Sequence, residues 1–218
     1  MPRDNHPRER QARQMARKKP KRPPFDRILI VTEGSKTEPL YLEDIRKQKR
    51  IPSAHIAVVP TIGTEPLQIV EYAVQVFKET KEFEAIYAVF DRDSHSTYNN
   101  ALAKAASLDG KLKNRDKKAV RFYAVPSVPC FEVWLLLHYQ DLSSFSHRSE
   151  VIERVRAHIA GYEKGATGIY ALTEGAIPNA TARAVHLRTR FSEHSGNDPF
   201  TKMDELVEFL RSIRSVAT

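Results

Sequence analysis

ILIVTEGSKTEPLY, residues 28–41, and AIYAVFDRDSHS, residues 85–96, decide how this chain is read. Each is an apolar run that stops at carboxylates: Glu33 in the first, Asp91 and Asp93 in the second. A buried strand that ends at an acidic residue sets that carboxylate at a sheet edge, and open α/β sheets bind ligands there. If the two strands lie side by side, three carboxylates meet. That oxygen-only donor set suits a hard divalent cation such as Mg2+, with Mn2+ as the alternative.

Working outward, Ile28 to Val31 is continuous and β-branched, as expected of a strand covered on both faces. Glu33-Gly34-Ser35 turns the chain, with Ser35 or Thr37 as helix cap and Pro39 in the first helical turn. Ile56 to Val59 reads as a second strand, and Gly63-Thr64-Glu65-Pro66 as another helix entry. Leu67, Val70, Tyr72, Val74 and Phe77 would form that helix's buried face. Ala85 to Phe90 is a third strand, Thr97 to Leu108 a helix, and Val120 to Val125 a fourth strand. This alternation predicts an α/β fold: a mostly parallel four-stranded sheet flanked by helices.

After Val125 the pattern predicts helices only, over Phe131–Tyr139, Glu150–Tyr162, Ala180–Phe191 and Thr201–Arg214. Ser195 to Pro199 reads as a helix-entry turn with Asn197 or Asp198 as cap. The expected organisation is a basic arm at 1–24, an α/β core at 25–126, and a helical extension at 127–218 packed on that core.

The chain of 218 residues has a net charge of +8, which taken alone resembles a nucleic-acid footprint. Its distribution says otherwise. Residues 1–24 hold nine Lys/Arg against Asp4 and Glu9, so the arm carries +7 and residues 25–218 only +1. The arm lacks the apolar content to fold alone and either stays solvated or contacts polyanions non-specifically. No apolar run approaches the roughly 20 residues of a membrane helix, and the first residues lack a signal peptide's apolar core. A lone Cys130 offers no disulfide framework and no cysteine-based zinc site, which points to a reducing, cytoplasmic setting.

Among other polar residues, Glu132 sits inside an otherwise apolar helix. A carboxylate there is costly unless it is hydrogen-bonded or holds a metal. Lys164, in the glycine-rich GYEKGATG stretch, would offset charge on a phosphate or simply face solvent. Glu38 either supports the acidic cluster or is solvated. His138, six residues beyond Glu132, reads as a core or capping histidine, and His95 as an exposed turn residue or a phosphate contact. Arg183 and His186, three apart on a predicted helix, could face substrate. No Ser-His-Asp or HExxH pattern occurs, so zinc and nucleophilic chemistry are disfavoured.

A strand ending in Glu33-Gly34, followed by a strand ending in Asp91-Arg92-Asp93, resembles the Toprim domain of topoisomerases, primases and several nucleases. More narrowly, EGSKTEPLY, FDRD and VPCFEVWLLLHY resemble the RloB-like family of bacterial Toprim proteins, and GNDPFTKMDELVEFL is similar to that family's closing helix. The resemblance implies a Mg2+-dependent nuclease-type centre acting on DNA or RNA, often encoded beside an AAA-type ATPase in anti-phage defence operons. It implies Glu33 as acid/base or metal carboxylate, Asp91 and Asp93 as metal ligands, and Glu132 and Lys164 in support. The chain has no GxxxxGK[ST] of its own, so ATP chemistry would belong to a partner. Two other readings stay open: a non-catalytic binding or regulatory subunit of an ATPase complex, and phosphoryl transfer on a small nucleotide.

Overall fold

The computed structural model describes residues 27–213, apart from 54, 62–64, 195 and 197. The basic arm, the Gly63-Thr64 entry and Asn197 therefore lie outside the described residues. The first half alternates strictly: β1 (Ile28–Thr32), α1 (Thr37–Gln48), β2 (Ile56–Pro60), α2 (Pro66–Thr80), β3 (Ala85–Asp91), α3 (Tyr98–Leu108) and β4 (Arg121–Val128). Then follow α4 (Glu132–Leu137), α5 (Arg148–His158), α6 (Ile169–Thr173), a 3-10 turn (Glu174–Ala176), α7 (Ile177–Arg190), β5 (Phe200–Thr201) and α8 (Met203–Ser212).

The expected α/β class and mostly parallel sheet are what the chain adopts. The sheet has five strands, not four, in the order β2-β1-β3-β4-β5. β1 to β4 are parallel and β5 runs antiparallel to β4. Two differences produce the change. β4 does not stop before Pro126 but continues to Val128, with Pro126 opposite Phe90. Thr201, expected to open the last helix, and Phe200 before it instead pair with Ser127 and Val128. A two-residue strand has no periodicity of its own to read, and the cross-chain Ser127–Thr201 hydroxyl bond at 3.0 Å helps hold it.

Alternation along the strands divides the interior in two. Leu29, Val31, Ile86, Ala88 and Phe90 face α2 and α3. Ile28, Ile30, Tyr87, Val89 and Val125 face the opposite way, into a larger core shared with α1 and the C-terminal helices. β1 is fully buried, as its β-branched run predicts, and each such side chain contributes about 1.5–3 kcal/mol on leaving water. Trp134 of α4 donates from Nε1 to the Tyr41 hydroxyl at 3.0 Å, joining α4 to α1. Arg188 of α7 makes a fork to Asp204 of α8 at 2.5 and 2.6 Å. Asp204 is buried, and Arg188 balances its charge there.

From β1 the chain crosses to β2 on one side, then returns past β1 to β3 on the other. In a sheet of order 2-1-3-4 the connections diverge between β1 and β3, which is where such sheets form a ligand crevice.

Candidate metal centre

Glu33 and Asp91 stand at that divergence. Thr32 is level with Val89, and the Glu33 N–H donates to Val89 O at 3.1 Å, continuing the ladder one residue past β1. Gly34 then turns away at φ +66, a conformation that side-chain-bearing residues rarely adopt. Asp91 ends β3 on the Tyr87 and Val89 face, with only 3% of its surface exposed. Its backbone N–H donates to Glu33 Oε2 at 3.1 Å. The acidic turn is stitched to the end of β4 by Arg92 N–H on Ser127 O at 2.8 Å and Asp93 N–H on Pro129 O at 2.9 Å. Asp93 is held at φ +40, a left-handed conformation that costs of order 1–3 kcal/mol and recurs at functional turns.

Glu132 opens α4 and is 1% exposed. Its Oε1 accepts from the Tyr162 hydroxyl at 3.3 Å and lies 3.8 Å from Lys164 Nζ. Lys164 is brought in by a loop tied to α1: Gly165 N–H donates to Thr37 Oγ1 at 3.2 Å, and Gly168 N–H to Asp44 Oδ2 at 3.0 Å. Gly165 has φ +88, and a Cβ there would come within 3.3 Å of Lys36 Cβ, so the close approach needs glycine. Thr37 is the first residue of α1 rather than its cap; Lys36, not Ser35, takes that position, without a side-chain bond.

The residue that the sequence reading misses is Arg148. Its Nη1 bonds the Asp93 carboxylate, and its Nη2 lies 3.5 Å from Asp91 Oδ2. It is the first residue of α5, which begins two residues earlier than expected. Glu150 accepts the backbone N–H of His147 at 3.2 Å, so a histidine occupies the capping position usually marked by Ser, Thr, Asp or Asn. A helix start so disguised carries little signal.

Charge in the site is unbalanced. Glu33, Glu38, Asp91, Asp93 and Glu132 face Arg148 and Lys164. Burial pushes the Asp91 carboxyl well up, and the neighbouring Glu38, Glu33 and Glu132 carboxylates add to this against the pull of Arg148. Burial likewise raises Glu33, opposed by the Asp91 N–H, His95 and Arg148. Glu38 is pushed up to about 7, by burial first and then by Glu132 and Glu33. Burial alone would lower the Arg148 guanidinium, but Asp91 and Asp93 outweigh it and raise it.

Two clefts open onto this cluster and share Arg148 as a wall. One, of about 300 Å3, is lined by Glu33, the Gly34–Thr37 turn, Glu38 and Lys164. The other, of about 410 Å3, lies on the Asp93 side. As the side chains stand, no three His, Cys, Asp or Glu among the described residues are placed to hold a metal ion. Arg148 bonds Asp93, and Glu33 is engaged by the Asp91 N–H. The residues nevertheless fit a hard divalent cation in kind: all five are oxygen donors, and burial, with the neighbouring carboxylates adding to it, disfavours the charged forms of Glu33, Glu38 and Asp91.

His95 is half-buried rather than exposed, with Nδ1 3.1 Å from Glu65 Oε1 and Nε2 3.9 Å from Glu33 Oε1. Arg183 lies elsewhere, donating to Leu137 O at 2.8 Å and pairing with Asp141, and it lines a separate hollow with His186. His138 is a core residue, its Nδ1 2.9 Å from Trp134 O. Burial and the nearby Glu132 and Asp91 push the Cys130 thiol well up, which leaves it a poor nucleophile.

A family model described as RloB-like protein matches residues 28–210. The chain belongs to the RloB-like family. The matched span covers every residue of the acidic cluster, Arg148 and Lys164 included. Searches of the curated proteins and of the solved structures found no match for this RloB-like protein. No helix among its described residues is long and apolar enough to cross a membrane.

Proposed function

We propose that this RloB-like protein is a metal-dependent phosphodiesterase with a Toprim-like centre that cleaves nucleic acid. The observation that carries this reading is Asp91, buried at the β1/β3 divergence among Glu33, Glu38 and Glu132 with too little positive charge to balance them. Glu33, Asp91 and Asp93 would hold Mg2+ or Mn2+, with Glu132 behind them. When bound, such an ion polarises a phosphate oxygen and acidifies a water. Lys164, at the rim of the smaller cleft, would offset charge on the phosphate's outer oxygens. Glu132 positions Lys164 from below, and the Asp91 N–H orients the Glu33 carboxylate. The sequence has no phosphate-binding GxxxxGK[ST], so any ATP chemistry would belong to a partner, and an AAA-type ATPase in anti-phage defence is the setting that goes with this family reading.

One observation favours a second reading. Arg148 already pairs with both Asp91 and Asp93, as it would in a subunit that keeps the shape for binding and has no need of metal. The two readings separate when the full chain meets labelled DNA, RNA and a small phosphodiester, with Mg2+, Mn2+ or chelator. Cleavage of a polynucleotide that needs the metal supports the nuclease. Turnover of the small ester alone supports phosphoryl transfer on a small nucleotide. No turnover with unimpaired partner binding supports the subunit.

A further inference from the structure

Of the larger cleft's lining, the phosphodiesterase reading uses only Asp93, at the edge shared with the acidic cluster; the rest, Arg148 apart, differs from the lining of the acidic cleft. The larger cleft is walled by Arg92, Pro129, Phe145, His147 and Arg148, with Ser94 and Ser96 on the turn between β3 and α3. Phe145 stands 51% exposed in the loop joining α4 to α5. The other large exposed hydrophobics among the described residues, Leu172 and Val185, are aliphatic and line neither cleft. An aromatic ring left in water has surface still to bury. On the same lining, Arg92 packs its guanidinium on Tyr98, 5.1 Å from the ring centre, which fixes this cation in the cleft wall.

We propose that this cleft is a nucleobase subsite: Phe145 stacks one unpaired base, with Arg92 and Arg148 on the walls beside it. The volume of about 410 Å3 lies within the range of small-ligand pockets. The position suits this as well. Arg148 forms a wall of both clefts, so they adjoin, and a nucleotide whose phosphate meets the acidic cluster would have the Phe145 side next to it for its base. A base inside a duplex has both faces covered and cannot offer one to Phe145, so the substrate class is single-stranded DNA or RNA, or a nucleotide flipped from a helix. The substrate assignment rests on the phosphodiesterase reading; the base-stacking site itself does not.

The test is binding without cleavage, using the full chain with calcium in place of magnesium. Phe145→Trp places an indole in the cleft, while Trp134, buried and bonded to Tyr41, gives a constant background. Expected are quenching of the new indole by 5′-AMP but not by ribose 5-phosphate, and binding of a single-stranded dodecamer about tenfold tighter than its duplex. Phe145→Ala should weaken dodecamer binding about tenfold and Phe145→Tyr should preserve it, in line with the usual contribution of one base–aromatic stack. Equal response to 5′-AMP and ribose 5-phosphate, no response to any probe, or Phe145→Ala binding like wild type would overturn the proposal. Stacking in a protein that cleaves nothing would sink the phosphodiesterase reading and leave the subsite standing. Metal-dependent cleavage with an unchanged KM in Phe145→Ala would do the reverse.

Discussion

Arg148 Nη2 lies 3.5 Å from Asp91 Oδ2, and the same guanidinium bonds Asp93, a pairing between the first turn of α5 and the end of β3. A cation bound by these carboxylates must displace it. Arg148→Gln should therefore raise Mn2+ affinity about tenfold, or about 1.4 kcal/mol, by calorimetry. The same variant should melt below wild type in chelator, because the carboxylates lose their counter-charge, and recover most of that loss when Mn2+ is added.

Lys164 is 44% exposed, and its ion pair to Glu132 is long at 3.8 Å. Lys164→Ala should leave stability within about 0.5 kcal/mol by urea denaturation, as expected for an exposed position. Its cleavage rate should fall about 100-fold, the usual cost of losing one donor to developing charge. A large stability loss with unchanged rate would make Lys164 structural.

Arg188 and Asp204 predict the opposite split. Arg188→Met strands a buried carboxylate and should cost about 3–5 kcal/mol in urea denaturation. Adding Asp204→Leu should recover much of it, since a well-packed apolar pair can replace a buried ion pair. Any cleavage measured below the melting point should be unchanged.

His138 sets a pH dependence of folding. Burial lowers its imidazole from 6.5 to about 4, outweighing the Trp134 and Leu135 carbonyls. Above 6.5 both folded and unfolded forms are neutral there, so nothing is lost. Between 6.5 and 4 the unfolded chain binds the extra proton, and stability falls as pH drops, by about 3 kcal/mol over the window. His138→Phe should flatten that part of the profile in melts followed from pH 7 to pH 4.

The parts of the fold that could be read in advance are those whose cause is local. Ile28 to Val31 and Ala85 to Phe90 announce buried parallel strands by composition alone, and the rule for strand ends then places Glu33 beside Asp91. β5 could not be read, because its two residues become a strand only through Ser127 and Val128, more than seventy positions away. Arg148 was hidden for a similar reason. Its partner Asp93 is 55 residues distant, and its helix starts at a histidine cap. Glu132 shows the intermediate case: an acid in an apolar helix signals that a partner must exist, but not that the partner is Tyr162.

The most direct test of the central claim is single-turnover cleavage of a labelled single-stranded oligonucleotide by wild type, Glu33→Gln and Asp91→Asn, each with Mg2+ and with chelator. The account predicts cleavage by wild type that is abolished by chelator and reduced at least about 100-fold by either substitution. Equal rates in wild type and both variants, or cleavage indifferent to chelator, would contradict it.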